Sequence, residues 1–215
     1  MNVIIFGGSA GSNIAEEIFK NTFRQCNIFL CETFKKIGVK DKILSFEKSI
    51  NLISNHSYDY FIATGDNFIR SNLYSEIHSL TNKNPINCIH DSSFISTSAE
   101  IGFGNLIAPK SVLHTDCKVG NCTIINTGSI VEHGCNISHF TQMSPGSTLC
   151  GNVSISEYCF VGAGATIIPN IKIGKYSLVA AGSSVTKDIP ENVMVAGAPC
   201  TIKKTNYYEI SDSNL

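Results

Sequence analysis

From Ile101 to Val185, every sixth residue of the chain is an aliphatic side chain or a methionine. The run comprises 15 consecutive six-residue blocks, from IGFGNL to VTKDIP, and Ile, Leu, Val or Met opens each block in one unbroken frame. The fifth position of the blocks is mostly small, as in Ser111, Cys117 and Thr123. A period of six differs from the 3.6-residue period of a helix and from the alternation of a half-buried strand. It indicates a repeat in which each block is one structural unit.

Six-residue repeats of this kind are typical of a parallel β-helix, in which three blocks form one triangular coil. The aliphatic residue points inward and stacks on its equivalent in the next coil, and the small residue at position five allows the chain to turn the corner. The 15 blocks therefore predict about five coils. Hexapeptide β-helices are known to be left-handed, an exception to the usual right-handed crossover, so we expect a left-handed parallel β-helix. An ordinary β-sandwich is the disfavoured alternative.

Residues 1–85 follow a different pattern. The segments NVIIFG, NIFLCE and YDYFIATGD are typical of buried strands, whereas NIAEEIFKNTF, FEKSINLIS and NFIRSNLYSEIHSL are predicted to be helices. Alternating strands and helices favour a small parallel sheet, so we predict a small α/β, Rossmann-like N-terminal domain. The β-helix is expected over 86–204, and the polar residues 205–215 are expected to form a loose tail or a cap.

Composition and charge limit the classes of function. The chain is 43% hydrophobic and 15% charged, as expected for a globular protein that buries a core. Its formal net charge is −1 and its basic residues form no large cluster, so we expect no nucleic-acid partner. We also expect no membrane association, because no apolar run approaches the roughly 20 residues of a membrane span.

The nine cysteines form no CxxC pair, and the N-terminal segment MNVIIFGG does not resemble a signal peptide. We therefore predict a cytoplasmic protein whose thiols stay reduced and mostly serve as small core residues. Neither the Cys–Cys nor the Cys–His spacing fits a zinc site, so no metal is expected.

A glycine-rich turn, FGGSAGS, follows the first strand and opens a helix. Such a turn presents backbone N–H groups and a helix N-terminus to a phosphate, although it also fits a simple tight βα turn. A second predicted strand ends in ATGDN. Because ligands bind beyond the carboxyl ends of parallel strands, we expect one nucleotide to bind there. The expected substrate-binding residues are Gly7, Gly8, Ser9, Glu32, Thr64, Gly65, Asp66 and Asn67.

His133 stands in the middle of the β-forming segment NTGSIVEHGCNIS. A histidine on a β-helix coil can be a solvated surface residue, a metal ligand or a general base. The γ-class carbonic anhydrases bind metal through three histidines on this type of β-helix. His114, His133 and His139 do not reproduce the closely spaced pair of that family, so a metal site is disfavoured.

The sequence resembles the bacterial sugar O- and N-acyltransferases, which join a small nucleotide-binding α/β domain to a left-handed β-helix. The resemblance covers nearly the whole chain and rests on FGGSAG, FIATGDNFIR, INTGSIVEHGCNI, SPGSTLCGNVSI, CFVGAGATIIPNIKIG and VMVAGAPCTIKK. The most similar groups are the UDP-4-amino-sugar N-acetyltransferases of bacillosamine synthesis and the sialic acid O-acetyltransferases.

This resemblance implies acetyl transfer from acetyl-CoA, without a metal, in a homotrimer with active sites between subunits. His133 matches the catalytic histidine, which would accept a proton from the attacking amine. The N–H of Gly151 matches the donor to the oxyanion, and Asn126 matches an asparagine near the acceptor amine. The residues expected to line the path of CoA are Gln142, Gly162, Ala163, Ala181 and Gly182.

The chain departs from this family at three positions. Gly134 follows the histidine where several N-acetyltransferases have an acidic residue, Gln142 replaces a histidine near the thioester, and Gly11 replaces a histidine of the glycine-rich turn. The acid here, Glu132, precedes the histidine, and strand alternation would direct it away from His133.

The favoured function is N-acetylation of a UDP-linked 4-amino-4,6-dideoxyhexose in bacterial surface-glycan synthesis. The EHG form of the histidine motif resembles the sialic acid O-acetyltransferases, which are the first alternative. A dTDP-linked amino sugar and a non-catalytic nucleotide-sugar-binding or assembly protein are the others.

Overall fold

The computed structural model of the 215-residue chain describes residues 1–7, 10–23, 25–31 and 43–208. Three of the predicted site residues, Gly8, Ser9 and Glu32, lie outside these described residues. Two units follow one another along the chain: an α/β unit that ends with a helix at Thr81, and a β-helix whose first strand begins at Cys88.

The N-terminal unit is a four-stranded parallel sheet with the strand order β3-β2-β1-β4. Its strands are β1 (Asn2–Phe6), β2 (Asn27–Cys31), β3 (Ile43–Leu44) and β4 (Asp59–Ile62). Its helices are α1 (Ala10–Thr22), α2 (Phe46–Ser54) and α3 (Asn67–Thr81). Strands β1 and β4 are almost fully buried, which explains their continuous apolar sequence. Helix α1 begins three residues earlier than predicted, at Ala10 instead of Asn13, so it starts within the small-residue turn.

The β-helix has three sheets built from two-residue parallel strands, as the six-residue period predicts, and two longer strands extend one of these sheets. One sheet has five strands: β7 (Glu100–Ile101), β10 (Lys118–Val119), β13 (Asn136–Ile137), β16 (Ser154–Ile155) and β19 (Lys172–Ile173). A second has six strands: β6 (Phe94–Ile95), β9 (Val112–Leu113), β12 (Ile130–Val131), β15 (Thr148–Leu149), β18 (Thr166–Ile167) and β21 (Ser184–Val185).

The third sheet has eight strands: β5 (Cys88–Ile89), β8 (Leu106–Ile107), β11 (Ile124–Ile125), β14 (Gln142–Met143), β17 (Phe160–Val161), β20 (Leu178–Val179), β22 (Val193–Gly197) and β23 (Cys200–Thr205). Ile101 pairs with Val119, Val119 with Ile137, and Ile137 with Ile155, so one coil is three blocks long. The antiparallel pair β22 and β23 ends the β-helix. The predicted left-handed parallel β-helix is confirmed.

Aliphatic residues at position one fill the interior. Those from Ile107 to Val185 form one continuous buried cluster. The small residues at position five are buried as well: Ser111, Cys117, Thr123, Ser129, Cys135, Thr141, Ser147, Cys159, Ala165, Ser177 and Ser183. Several of their hydroxyls satisfy corner carbonyls; Ser129 Oγ, for example, donates to the Ser144 carbonyl at 2.9 Å. The interior is therefore a packed core and not a channel.

The fourth position of each block sets the corner geometry, which the sequence analysis did not anticipate. From Gly104 to Gly182 this position has φ between 51° and 70° in every coil, whether or not it is glycine. The non-glycine members are Lys110, Asp116, Cys122, Phe140, Asn152, Tyr158, Asn170 and Tyr176. Left-handed backbone raises the conformational free energy of residues with bulky side chains, so favourable contacts of the aromatic side chains must offset this cost.

Ring contacts at the junction between the two units offset this cost. Phe140, Tyr158 and Tyr176 stack at successive corners between the five- and eight-stranded sheets, which we call the aromatic corner. Phe68 of α3 stacks on Tyr158 with ring centroids 5.0 Å apart. Tyr208 packs on Phe68 with centroids 4.8 Å apart, so the start of the predicted loose tail is held against α3.

Candidate functional site

A cavity of about 230 Å³ lies where the carboxyl end of β4 faces the eight-stranded sheet. The residues that line it are Gly11, Ile14, Phe61, Ile62, Ala63, Thr64, Gly65, Arg70, Gly104, Leu106, Ile124, Asn126 and Gln142. The wall is largely apolar, and its few polar groups come from both units. A concave apolar site with a few converging polar groups is the usual form of a small-molecule site.

Four of the predicted site residues meet in this cavity. Thr64 and Gly65 come from the segment after β4, whereas Asn126 and Gln142 come from coils of the β-helix. Gly7 lies at the end of β1 with φ 153°, and a Cβ there would stand 2.7 Å from the Ala63 carbonyl oxygen. Its role in the structure is thus close packing beside the segment that leads to Thr64.

The side chains of Asp66 and Asn67 serve the fold and do not line the cavity. The Asp66 carboxylate accepts hydrogen bonds from the N–H groups of Phe68 and Ile69, both at 2.9 Å, as the N-cap of α3. Asn67 is 4% exposed, and its Nδ2 donates to the Cys159 carbonyl at 3.0 Å. Helix capping and domain contact therefore use both side chains, and their contact with substrate stays a prediction.

Arg70 is the residue at this junction to which the sequence analysis gave no role. Its guanidinium is 1% exposed and donates to carbonyl oxygens of Cys122 at 2.7 Å, Thr64 at 2.9 Å, Asp66 at 3.3 Å and Thr141 at 3.4 Å, and to Asn67 Oδ1. No carboxylate of the described residues forms an ion pair with it. Burial lowers the pKa of Arg70 to about 10.

This network ties the Thr64 segment to two coils of the β-helix. The signal available in the sequence was its position, three residues after Asn67 on the same helical face. A fully hydrogen-bonded guanidinium without a counter-charge also leaves a positive charge in the wall of the cavity.

His133 lies at a different place, in the turn between β12 and β13. We call the turns between the six- and five-stranded sheets the His133 corner. The imidazole is exposed and lies over Gly151, which occupies the equivalent position in the next coil. A Cβ added to Gly151 would stand 2.5 Å from both Cε1 and Nε2 of His133. Glycine is thus required for space, since its φ lies outside the left-handed range.

The N–H of Gly151 has no acceptor among the described residues, while its carbonyl accepts from the Asn170 N–H at 3.0 Å. An imidazole nitrogen and an unused backbone donor therefore lie side by side in neighbouring coils. This pair can accept a proton and stabilise a developing oxyanion in the same place.

Gly134 follows His133 with φ 67°, and the space where its side chain would stand is occupied by Asn152 Oδ1 of the next coil. The Asn152 N–H donates to the His133 carbonyl at 2.9 Å, which fixes the backbone of the histidine. No side-chain hydrogen bond of His133 is formed within the described part of this single chain.

The corners between the eight- and six-stranded sheets form a third column, the glycine corner. Gly128, Gly146, Gly164 and Gly182 occupy position four there, and a Cβ on any of them would meet nothing within 4 Å. The predicted CoA-path residues Gly162, Ala163, Ala181 and Gly182 lie on this column or beside it. Gln142, predicted with them, instead lines the cavity.

The other histidines of the β-helix have local partners. His114 Nδ1 accepts from the Thr115 N–H at 2.8 Å, and His139 Nδ1 accepts from the Asn121 N–H at 2.8 Å. Within the described ranges, no three His, Cys, Asp or Glu side chains cluster as a metal site would require. Burial raises the pKa of the thiols of Cys117 and Cys135 to about 11 and those of Cys122 and Cys159 to about 12.

Residues 152–187 match the family described as bacterial transferase hexapeptide (six repeats). The fold is similar to PerB from Caulobacter crescentus, solved in complex with CoA and GDP-perosamine, with a TM-score of 0.86, 28% identity and coverage of 95% of this chain and 98% of that one. It is also similar to the acetyltransferase domain of PglB from Neisseria gonorrhoeae FA1090 in complex with acetyl coenzyme A, with a TM-score of 0.85, 25% identity and coverage of 94% and 98%.

The chain carries transferase hexapeptide repeats on the fold of the sugar N-acetyltransferases. WeeI from Acinetobacter baumannii AYE has the same fold, with a TM-score of 0.85, 24% identity and coverage of 94% of this chain and all of that one. The predicted resemblance to this acyltransferase family is confirmed, and so is the prediction of an acetyltransferase. None of the helices described in this chain is long and apolar enough to cross a membrane.

Proposed function

We propose that this protein transfers the acetyl group of acetyl-CoA to the amine of a nucleotide-linked amino sugar. The observation that carries the proposal is the His133 imidazole lying over Gly151, whose N–H has no other acceptor. The comparisons support the donor and the acceptor class: PerB was solved with CoA and GDP-perosamine, and the PglB domain with acetyl coenzyme A.

The chemistry follows from these two groups. The sugar amine attacks the thioester carbonyl carbon, the new C–N bond forms, and the carbonyl oxygen becomes an oxyanion. The Gly151 N–H donates to that oxyanion, and His133 accepts the proton that the amine nitrogen loses. When the intermediate collapses, the C–S bond breaks and the CoA sulfur leaves, to be protonated as the free thiol. Asn126, which lines the cavity, would hold the sugar near its amine.

The position of His133 supports active sites between subunits. The cavity lies on the eight-stranded sheet, whereas the His133 corner joins the other two sheets and is thus the opposite vertex of the triangular coil. A packed core of residues such as Val131 and Met143 lies between them. A ligand in the cavity of one protomer would therefore reach the histidine of a neighbour and not its own.

The outer surface of the six-stranded sheet supports the same proposal. Its outward positions carry Phe94, Val112 and Ile130 up to the coil of His133 and Thr148, Thr166 and Ser184 beyond it, and Phe94 is 56% exposed in the single chain. The equivalent positions of the five-stranded sheet are polar: Glu100, Lys118, Asn136, Ser154 and Lys172. The apolar half of this sheet face, which ends at the His133 corner, fits contact with another copy of this chain, and a closed homotrimer is the arrangement we propose.

The finer identity of the acceptor is also a proposal. We propose a UDP-linked 4-amino-4,6-dideoxyhexose, bound by the N-terminal unit acting as a small Rossmann-like nucleotide-binding domain, and a cytoplasmic reaction. The parallel sheet with a cavity beyond the carboxyl end of β4 supports this arrangement, as does the positive charge of Arg70 in the cavity wall.

A substrate panel tests the proposal. The purified protein is incubated with acetyl-CoA and UDP-, dTDP- or GDP-linked 4-amino sugars, a 3-amino sugar nucleotide or sialic acid, and free thiol is measured. Acetyl-CoA-dependent thiol release with a 4-amino sugar nucleotide is the expected result. Release with sialic acid alone would replace the proposal with O-acetylation, and no release with any acceptor would remove it.

A further inference from the structure

Gln142 has a buried side-chain oxygen without a hydrogen-bond partner. The residue lies on β14 and is half-buried, yet its Oε1 is inaccessible to solvent and accepts no hydrogen bond. Leaving a buried acceptor unsatisfied costs free energy, so each such atom in a native structure requires an explanation.

The cavity supplies that explanation. Gln142 lines it together with Thr64 and Gly65, and a Cβ added to Gly65 would stand 3.7 Å from Gln142 Oε1. Three other buried side-chain atoms of the described residues also have no partner: Ser12 Oγ, Asn105 Nδ2 and Ser144 Oγ. None of those three residues lines the cavity. Gln142 is thus the only one of these four residues that lines a space which a ligand can occupy.

The neighbouring donor in the wall does not satisfy this oxygen. Arg70 lines the same cavity, but its hydrogen bonds go to backbone carbonyls and to Asn67. The Thr64 carbonyl is one of these acceptors, so Arg70 holds the Thr64 segment of the cavity wall in place and donates no hydrogen bond to Gln142 Oε1.

We propose that Gln142 is a specificity-determining residue whose Oε1 accepts a hydrogen bond from an N–H or O–H group on the sugar of the nucleotide-linked substrate. This inference rests on the proposed function and assigns a ligand to one atom of the site. The sequence resemblance placed Gln142 beside the acyl donor. The structure instead places it with Thr64 and Gly65, which are predicted to hold the nucleotide sugar.

If Oε1 serves a ligand, removing it should raise the stability of the ligand-free protein and lower its affinity for the ligand. Replacement of a purely structural glutamine would not have both effects. Gln142→Leu keeps most of the side-chain volume and removes the acceptor. The ligand-free protein should become more stable, with Tm higher by roughly 2 °C, because the desolvated oxygen is gone. Affinity for the amino-sugar nucleotide should fall by about 5- to 20-fold, because the ligand donor then loses its partner.

Ser144→Ala provides the matched control. It also removes a buried unpaired oxygen two residues further along the same strand and turn, but Ser144 does not line the cavity. This variant should not lower Tm, and it should leave the affinity for the sugar nucleotide unchanged. Gln142→Met serves as a second apolar variant in case leucine packs poorly.

The experiment is calorimetric titration of each variant with the sugar nucleotide that the wild-type protein acetylates, and separately with acetyl-CoA, together with thermal melting of the ligand-free proteins. Loss of sugar-nucleotide affinity with unchanged acetyl-CoA affinity supports the inference. Loss confined to acetyl-CoA, or a lower Tm in both apolar variants with full sugar-nucleotide affinity, overturns it while the proposed function stands. If wild type acetylates no sugar nucleotide, the proposed function fails first, and this inference fails with it.

Discussion

The imidazole of His133 occupies the space where a side chain of Gly151, one coil further along the β-helix, would stand. The proposed base and the proposed oxyanion donor are thus neighbours through the stacking of coils, although 18 residues separate them in the sequence. Because the six-residue frame fixes this register, a larger side chain at Gly151 would displace the imidazole of His133.

Gly151→Ala should lower kcat by about 10-fold or more and leave the fold intact. The added methyl group would overlap Cε1 and Nε2 of His133, so the exposed imidazole must move, while the backbone angle at Gly151 suits alanine. Steady-state kinetics and thermal melting check this together. A fully active Gly151→Ala enzyme would show that the ring need not occupy this position.

Active sites shared between protomers should be restored in mixed trimers. His133→Ala should abolish activity, and so should Gly65→Leu, whose side chain would project toward Gln142 and fill the cavity. Co-expression of the two variants should recover roughly one quarter of wild-type activity. In random assembly about that share of interfaces pairs an intact histidine with an intact cavity.

The same variants purified separately and mixed without subunit exchange provide the control and should stay inactive. If the co-expressed mixture is as inactive as either variant alone, each site lies within one protomer, and the argument from opposite sides of the coil is wrong.

The ring contacts of the aromatic residues at position four should stabilise the protein by more than their left-handed backbone destabilises it. Tyr158→Gly relieves a left-handed backbone with φ 58° but removes ring contacts with Phe68, Phe140 and Tyr176, so we expect destabilisation of about 2–4 kcal/mol. Asp116→Gly is the matched control, because Asp116 has φ 57° and an exposed side chain.

Asp116→Gly should be neutral or stabilising by up to about 1 kcal/mol. Urea unfolding of both variants measures the difference. Equal effects of the two substitutions would mean that the aromatic corner contributes nothing to the attachment of α3.

Alkaline pH should destabilise the protein through its buried thiols. Burial raises the pKa of Cys117, Cys122, Cys135 and Cys159 above the ordinary value of 9.0, so the native state keeps protons that the unfolded chain loses. Their stabilising contribution is complete below pH 9 and is lost as the pH rises toward 11–12, by up to about 1.4 kcal/mol per pH unit for each thiol.

Cys159→Ser tests this effect, because serine occupies the same position of other blocks and does not titrate in this range. The free energy of unfolding should fall less steeply between pH 9 and 10.5 in the variant than in wild type. Parallel pH profiles would show that Cys159 ionises equally in both states.

The β-helix could be predicted from the sequence because each coil repeats the same local requirement. An aliphatic residue at position one points inward, and a small residue at position five allows the chain to turn. Counting residues therefore predicts that Ile137 pairs with Val119 and Ile155. Position four was not anticipated, because Phe140 and Tyr158 give no local sign that they adopt left-handed backbone.

The site was less predictable, since it depends on contacts between distant segments. Thr64, Gly65 and Asn126 do meet in one cavity. The first two were expected there because they follow a strand, and Asn126 because it matches an asparagine of the resembling family. Asp66 and Asn67 were assigned to the ligand because polar residues after a strand often bind one. Helix capping uses the Asp66 carboxylate, which the sequence alone could have indicated, and Arg70 donates to Asn67, a contact that depends on how α3 docks. Their binding to substrate stays a prediction.

The most direct test of the account is CoA release from acetyl-CoA in the presence of a UDP-linked 4-amino sugar, measured side by side for the wild-type protein and His133→Asn. The account predicts turnover by wild type and a rate about 10²- to 10⁴-fold lower for the variant, with acetyl-CoA affinity and oligomeric state unchanged. Turnover by His133→Asn within a few-fold of wild type would contradict the assignment of His133 as the base, and absence of turnover by wild type with every amino-sugar nucleotide would contradict the proposed reaction.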